Sequence, residues 1–308
     1  MDLKGKHFIN LADFDKESLG FLLDLAAKLK TENKIGQEHS VLKGKTLAMY
    51  FAKPSLRTRM SFEIGIYQLG GQAVVLKQDE IILGSRESIE DTARVISRYV
   101  DGVMIRTFAH SDILQFAKYS SVPVINALTD SSHPCQIMAD LLSAKEQFGE
   151  LKGLKLAYVG DGNNVTNSLL IGCAIFGMDI SVGCPKGYEP SKEYLQKACE
   201  IAKKSGSKIE ITDHPQDAVK GANIVYTDVW ASMGQESEYE LRKKIFNEYK
   251  VDKKLMSHTA SDSIILHCLP AHKDLEITEE VFEEHSAVIF NQAENRLHAQ
   301  KAIMASIM

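Results

Sequence analysis

The chain has 308 residues, a formal net charge of −5, 44% hydrophobic and 25% charged residues; this is the make-up of a soluble globular protein long enough for two domains, and without a clustered basic run it excludes a nucleic-acid surface. Five cysteines, an odd number with no C-x-x-C pair, exclude a disulfide framework and a compact zinc site and point to a reducing compartment. The first residues lead into no apolar signal segment and no stretch approaches the ~18 apolar residues of a membrane span, so a cytoplasmic protein with no membrane partner is expected.

Leu22, Leu25, Ala26 and Leu29 recur at helical spacing and predict an amphipathic helix over 15–31. Short apolar runs then alternate with helical patterns: strands over 45–51, 72–76, 102–106 and 123–126, helices over 57–69, 88–100 and 110–119. Ser88 followed by Asp91 reads as a helix start, and Pro134 opens a further helix ending near Phe148-Gly149. The alternation restarts with a strand over 155–159, a helix over 164–177, a strand over 179–183, a helix over 191–205 and a strand over 208–211. Strands over 223–227, 263–267 and 286–290 follow, with helices between them, and an amphipathic helix over 292–307 closes the chain. Such alternation specifies parallel sheets covered on both faces. Its two runs predict an α/β protein of two parallel-sheet domains with helices on both faces, meeting near residue 150, with the active site in the cleft between them.

In open parallel sheets ligands sit beyond the carboxyl ends of the strands, so the residues just after each strand carry the information. Lys53-Pro54-Ser55-Leu56-Arg57-Thr58-Arg59 follows a strand and begins a helix. A helix N-terminus offers N–H groups and a partial positive charge to an anion such as phosphate. Arg57 and Arg59 oppose the helix dipole there, a placement that makes sense if an anion is to be held; a capped, solvated helix start is the plainer alternative. Arg106 ends a strand, where a surface ion pair is the ordinary role. His133-Pro134-Cys135-Gln136 opens a helix, and Gly160-Asp161-Gly162-Asn163-Asn164 follows the strand 155–159. Asp228-Val229-Trp230-Ala231-Ser232-Met233-Gly234 and His267-Cys268-Leu269-Pro270 also follow strands. Each signal is modest alone; together they set Ser, Thr, Arg, His, Gln, Asn, Asp and Cys beyond the same ends of two sheets.

On these motifs the sequence resembles the aspartate/ornithine carbamoyltransferase family, and its ornithine branch closely. Ser-x-Arg-Thr-Arg at 55–59 and His-Pro-x-Gln at 133–136 resemble the carbamoyl phosphate motifs of the whole family. Asp-x-x-x-Ser-Met-Gly at 228–234 and His-Cys-Leu-Pro at 267–270 resemble those of the ornithine enzymes. The likeness runs from the first helix to Glu294-Asn295-Arg296. It implies transfer of the carbamoyl group from carbamoyl phosphate to the side-chain amine of L-ornithine, giving L-citrulline and phosphate in arginine metabolism, with putrescine or aspartate as alternative acceptors. Ser55, Leu56, Arg57 and Thr58 would hold the phosphate. Arg106, His133 and Gln136 would hold the carbamoyl end, Arg296 would reach back from the final helix, and Cys268 and Leu269 would line the point where amine and carbonyl meet. Asn164, Asp228, Ser232 and Met233 would bind ornithine. Arg57, Arg106, His133, Asp228 and Cys268 would carry the chemistry, with no metal, redox cofactor or covalent intermediate. Residues 1–148, with the helix 292–308 packing back on them, would form the carbamoyl phosphate-binding domain, and 149–291 the ornithine-binding domain. The family forms trimers, so a homotrimer or a multiple of one is implied, with a neighbour's 78–88 loop reaching the site. Two positions depart from the pattern: Leu56 stands where a threonine is usual, and Ile82 where some bacterial members carry glutamine.

Two readings from other classes fail on spacing. In Gly160-Asp161-Gly162-Asn163-Asn164 the third glycine of a dinucleotide turn should fall at 165, where Val165 stands. A metal hydrolase built on His133, Cys135, His267, Cys268 and His272 would need ligands at closer spacing.

Overall fold

The structure, a computed structural model, describes residues 2–77, 82–231 and 236–308. The chain divides into two compact units, Met1–Leu142 with Glu294–Met308, and Ser143–Ala293.

In the first unit α1 (Lys16–Lys34) is capped by Asp15, which accepts from the Ser18 N–H, and it buries Leu19, Leu22, Leu23, Ala26 and Leu29. Then follow β1 (Thr46–Phe51), α2 (Leu56–Gln68), β2 (Gln72–Lys77), α3 (Ile89–Ile96), β3 (Gly102–Arg106), α4 (His110–Tyr119), β4 (Val124–Leu128) and α5 (Pro134–Phe148), whose residues from Ser143 on belong to the second unit. The α3 helix stops four residues before the expected position 100. There the Ser97 hydroxyl turns back to the Ala93 carbonyl at 2.6 Å, and it also bonds the Ser120 hydroxyl. The strands form one parallel sheet in the order β2-β1-β3-β4. Its central strands β1 and β3 are apolar and almost wholly buried, as parallel strands covered on both faces must be. Because β2 lies outside β1, chain direction across the sheet reverses between β1 and β3, where a crevice opens at the carboxyl ends. There Phe51 is paired with Arg106. Between Ile105 and Arg106 the β3–β4 register slips by one residue, and such an irregularity re-aims the side chain that follows.

The second unit contains β5 (Lys155–Val159), α6 (Asn164–Phe176), β6 (Asp179–Gly183), α7 (Lys192–Ser205), β7 (Ile209–Thr212), α8 (Pro215–Val219), β8 (Ile224–Thr227), α9 (Tyr239–Ile245), α10 (Lys253–Met256), β9 (Ile264–His267) and α11 (Glu279–Glu284). Its parallel sheet has the order β7-β6-β5-β8-β9, so the reversal falls between β5 and β8. Val165 through Phe176 of α6 are all buried. Trp230, Phe246, Tyr249, Ile265 and Ile289 pack in one apolar core of this unit.

The expected strand over 286–290 is not a strand. Ser286–Ile307 is one helix, α12. A short apolar run such as Ala287-Val288-Ile289-Phe290 fits either state by periodicity alone. Tertiary context decides for the helix. Ile289, Gln292, Arg296, Ala299 and Ile303 are buried at helical spacing, and the Gln292 side chain accepts the His267 N–H at 2.9 Å. Among the described residues no helix is long and apolar enough to cross a membrane.

Candidate active site

The first unit collects its polar residues at the carboxyl ends of β1 and β3. Ser55 caps α2 and accepts from the Thr58 N–H at 3.3 Å, so the positive end of the helix lies here. Leu56 points outward and is 75% exposed, Arg57 is half-buried, and Thr58 is buried. The Thr58 hydroxyl oxygen is a shared acceptor: Nη1 of Arg106 and Nη2 of Arg296 both donate to it at 3.4 Å. Nη1 of Arg296 donates to Oε1 of Gln136 at 2.6 Å, and Nε2 of Gln136 donates to Asp140 at 2.8 Å. The planar fork of each arginine keeps several N–H groups converging on one region.

His133 precedes α5, and its carbonyl accepts the first two helical N–H bonds, from Gln136 and Ile137. Its imidazole is buried. Burial first, then the charges of Arg296, Arg106, Arg57 and Lys53, press its pKa well below the usual histidine value. It is therefore a neutral hydrogen-bonding group in a strongly positive field. Lys53 pairs with Asp130 at 2.8 Å and lies 4.3 Å above the Phe108 ring. Beside this cluster a cavity of about 580 Å³ is lined by Phe51, Lys53, Ser55, Arg59, Val75 and Lys77. Such a set suits a phosphate joined to a group with a polarisable carbonyl oxygen.

The second unit gathers its polar residues at the ends of β5, β8 and β9. Thr227 and His267 are register partners, so the next residues, Asp228 and Cys268, come together. The Cys268 thiol donates to Oδ1 of Asp228 at 2.9 Å, the Val229 N–H donates to the same oxygen at 2.8 Å, and Nδ2 of Asn163 donates to Oδ2 at 2.8 Å. Asp228 is 6% exposed. Among the described residues no cation forms an ion pair with it. A buried carboxylate held only by neutral donors is suited to pairing with a cation. Asn164, the first residue of α6, is half-buried beside Asn163. Ser232 and Met233 lie outside the described residues, as do positions 78–81.

Around this carboxylate the loops are tied down. His267 is fully buried; its Nδ1 accepts from the Leu269 N–H at 2.9 Å, which assigns the proton to Nε2, facing Glu276 at 3.2 Å. Leu269 has φ 59, a left-handed conformation that strains a residue with a side chain. Arg242 binds Asp161 at 2.9 Å, the Trp230 carbonyl at 2.9 Å and Glu238 at 2.8 Å. Burial outweighs Arg242 and pushes the Asp161 carboxyl up to about 6. Gly162 is closed in by the chain at 188–190: a side chain there would meet Pro190 N at 2.3 Å and Glu189 C at 2.4 Å.

Asp228, His267 and Cys268 form the one set of three potential metal ligands among the described residues. Both ring nitrogens of His267 are already engaged, by Leu269 and Glu276, so the set suits a hydrogen-bond network better than a metal ion.

Thr58, Arg106, Gln136 and Arg296 thus share one network with His133 in its field, while Asp228 and Cys268 are in contact. Asp140, Arg242 and Glu276 join these networks without a sequence motif to mark them, and Asn163, in the loop 160–164, takes a part that its motif alone did not assign. The i, i+4 spacing of Gln136 and Asp140 was a usable signal. Nothing in the order of residues singles out Glu276 as buried or Arg242 as its loop's anchor.

The family model described as aspartate/ornithine carbamoyltransferase, carbamoyl-P binding domain, matches residues 6–146, and the model described as aspartate/ornithine carbamoyltransferase, Asp/Orn binding domain, matches 152–307. The chain belongs to the aspartate/ornithine carbamoyltransferase family. Within this family it is 52% identical to the ornithine carbamoyltransferase of Thermococcus kodakarensis over 308 residues, covering 100% of this chain and 98% of that one. It is 53% identical to the ornithine carbamoyltransferase of Symbiobacterium thermophilum, covering 99% of each. Among solved carbamoyltransferase structures it is similar to ornithine carbamoyltransferase from Pyrococcus furiosus (TM-score 0.98, 48% identity, 100% of this chain and 98% of that one). It is also similar to the anabolic ornithine carbamoyltransferase from Campylobacter jejuni (TM-score 0.92, 44% identity, 97% of each).

Proposed function

We propose that this enzyme transfers the carbamoyl group of carbamoyl phosphate to the side-chain amine of L-ornithine, giving L-citrulline and phosphate in arginine metabolism. The observation that carries the choice of acceptor is Asp228, a buried carboxylate held by three neutral donors. An ammonium group is the charge it lacks. Positions 228–241 and 260–272 contain no Lys or Arg, whereas aspartate would bring two carboxylates in need of cations. Putrescine lacks the α-carboxylate that Asn164 and the chain at Ser232-Met233 would satisfy.

In this reading Ser55, Leu56, Arg57 and Thr58 bind the phosphate through the first turn of α2, with Arg57 opposing the charge that builds on it as it leaves. Arg106, His133, Gln136 and Arg296 hold the carbamoyl end. The amine forms its bond to the carbamoyl carbon, the carbonyl oxygen takes on negative charge, and the bond to the phosphate oxygen breaks. Arg106 and the Thr58 hydroxyl stabilise that oxygen, and the neutral His133 donates a hydrogen bond without itself changing charge. The amine sheds one proton, for which the departing phosphate offers an acceptor oxygen. Cys268 and Leu269 line the point of transfer. Catalysis rests on positioning and electrostatics, which need no cofactor.

Residues 1–148 with 292–308 would serve carbamoyl phosphate and 149–291 the amine. The exposed apolar side chains Leu56, Met60, Ile64 and Tyr67 along α2, with Val74 on the edge strand β2, support a homotrimer or a multiple of one. The described part of the 78–88 segment, which includes the exposed Ile82, would face the neighbouring subunit. Five free cysteines support a reducing, cytoplasmic setting. The test is kcat/KM for ornithine, putrescine and aspartate side by side with carbamoyl phosphate. Ornithine should exceed both by at least about 30-fold, the least that one mispaired buried charge is worth; a faster reaction with either of the others rejects the proposal. Light scattering should return the mass of three chains or a multiple.

A further inference from the structure

The two oxygens of Asp228 are held unequally. Oδ1 receives both the Cys268 thiol and the Val229 N–H, whereas Oδ2 receives the side chain of Asn163 at 2.8 Å. Asn163 is also the cap of α6: its Oδ1 accepts the Val165 N–H at 2.9 Å and the Thr166 N–H at 3.2 Å. The start of the helix therefore fixes which way the amide points, oxygen to the helix and nitrogen to Asp228. Capping alone does not call for this residue, since Asp, Ser and Asn cap about equally well. Of these, only asparagine accepts on one atom and donates from another, so a single side chain spans the helix start and Asp228.

We propose that Asn163 is a positioning residue for the acceptor: it orients the Asp228 carboxylate, and it does so with a neutral donor, so that the full negative charge is kept for the incoming ammonium. A Lys or Arg at this place would hold the carboxylate equally well and cancel the charge that selects the substrate. The inference rests on the reading that Asp228 binds the ammonium of ornithine.

Two variants separate positioning from capping. Asn163→Ser keeps a capping oxygen and removes the amide nitrogen that reaches Asp228, the shorter hydroxyl being committed to the helix start. Asn163→Asp keeps the cap and sets a second carboxyl beside the first, and two such groups share a proton at a raised pKa. Steady-state kinetics are measured for both substrates between pH 5.5 and pH 8.5 (roughly the span over which such a shared proton titrates), with melting curves alongside. For Asn163→Ser the expected result is an ornithine KM raised roughly 10- to 100-fold, the worth of one hydrogen bond to a charged group. The KM for carbamoyl phosphate and the melting temperature should hold. In Asn163→Asp the ornithine KM should fall back toward the unaltered value as the pH is lowered, because the protonated carboxyl donates as the amide did. The inference is overturned if both variants keep the original ornithine KM at every pH. It is equally overturned if the variants lose melting temperature and both substrates' KM together, which is the signature of a cap and nothing more. If the unaltered protein makes no citrulline, the reading of the site itself is what has failed.

Discussion

Cys268 donates its thiol proton to Oδ1 of Asp228 at 2.9 Å, and it does so because Thr227 and His267, one residue earlier on β8 and β9, are partners in a parallel register. Sheet geometry thus sets the distance between an acidic and a thiol side chain that stand 40 residues apart. Replacing Asp228 with Asn keeps the shape and removes the charge. The expected loss in kcat/KM for ornithine is about 30-fold to several thousand-fold, since a desolvated charge left without its partner costs about 2–5 kcal/mol. Calorimetric titration with carbamoyl phosphate should show unchanged binding. Cys268→Ala, which removes one of three donors, should cost about tenfold in the same assay.

Arg57 stands in the first turn of α2, beside the cap made by Ser55. Arg57→Ala should lower turnover roughly 10²–10³-fold by removing charge stabilisation at the leaving phosphate. The half-buried side chain is no part of the core, so the melting temperature should stay within a few degrees. Near-normal turnover would take this loop out of the mechanism.

Acid should destabilise the fold through its buried histidines. His298, 1% exposed on α12, has its pKa pressed down to about 4, chiefly by burial, against the bond to Glu294. An unfolded histidine titrates near 6.5. Between these values the unfolded chain binds a proton that the folded chain refuses. Stability is therefore full above about pH 6.5 and declines below it, by up to about 3 kcal/mol at pH 4. His133, also pressed downward, acts with the same sign. Urea titrations from pH 4 to pH 7 should show a flatter acid limb in His298→Gln. The pH profile of kcat/KM should carry no inflection near 6.5 from His133, which is neutral throughout that range.

Gly162 offers a test of loop architecture. A methyl group there would press on backbone atoms of Glu189 and Pro190, which cannot swing aside as a side chain can. Gly162→Ala should destabilise by about 1–3 kcal/mol, and it should raise the ornithine KM, because Asn163 is the next residue. A calorimetric melt and one saturation curve are sufficient.

The sequence made the fold legible wherever an element's pattern was decided locally. The α1 face built on Leu22, Ala26 and Leu29, the Ser88 cap and the Pro134 start all stand in the structure. The strand expected over 286–290 failed because a four-residue apolar run carries no period of its own, and long-range contacts through Ile289 and Gln292 chose the helix. At the site, Thr58, Arg106 and Gln136 were legible as chemistry-bearing types at a strand end and at helix starts, and Arg296 only through the family resemblance. Their joint network was not, because Thr58 and Arg296, at a sequence separation of 238, hold no local signal of contact. Asn163 was hidden for a different reason: its neighbour Asn164 is the same residue type, and only the cap geometry shows which of the two faces Asp228.

Leu269 holds a left-handed backbone, a conformation that glycine or asparagine would adopt at less cost. Replacing it would relieve strain of about 1–3 kcal/mol, set against the loss of its packing on the apolar core of this unit. Under the proposed function, such a change would also remove the apolar wall where the two substrates are to meet. On that reading endurance and turnover are rival traits at this position.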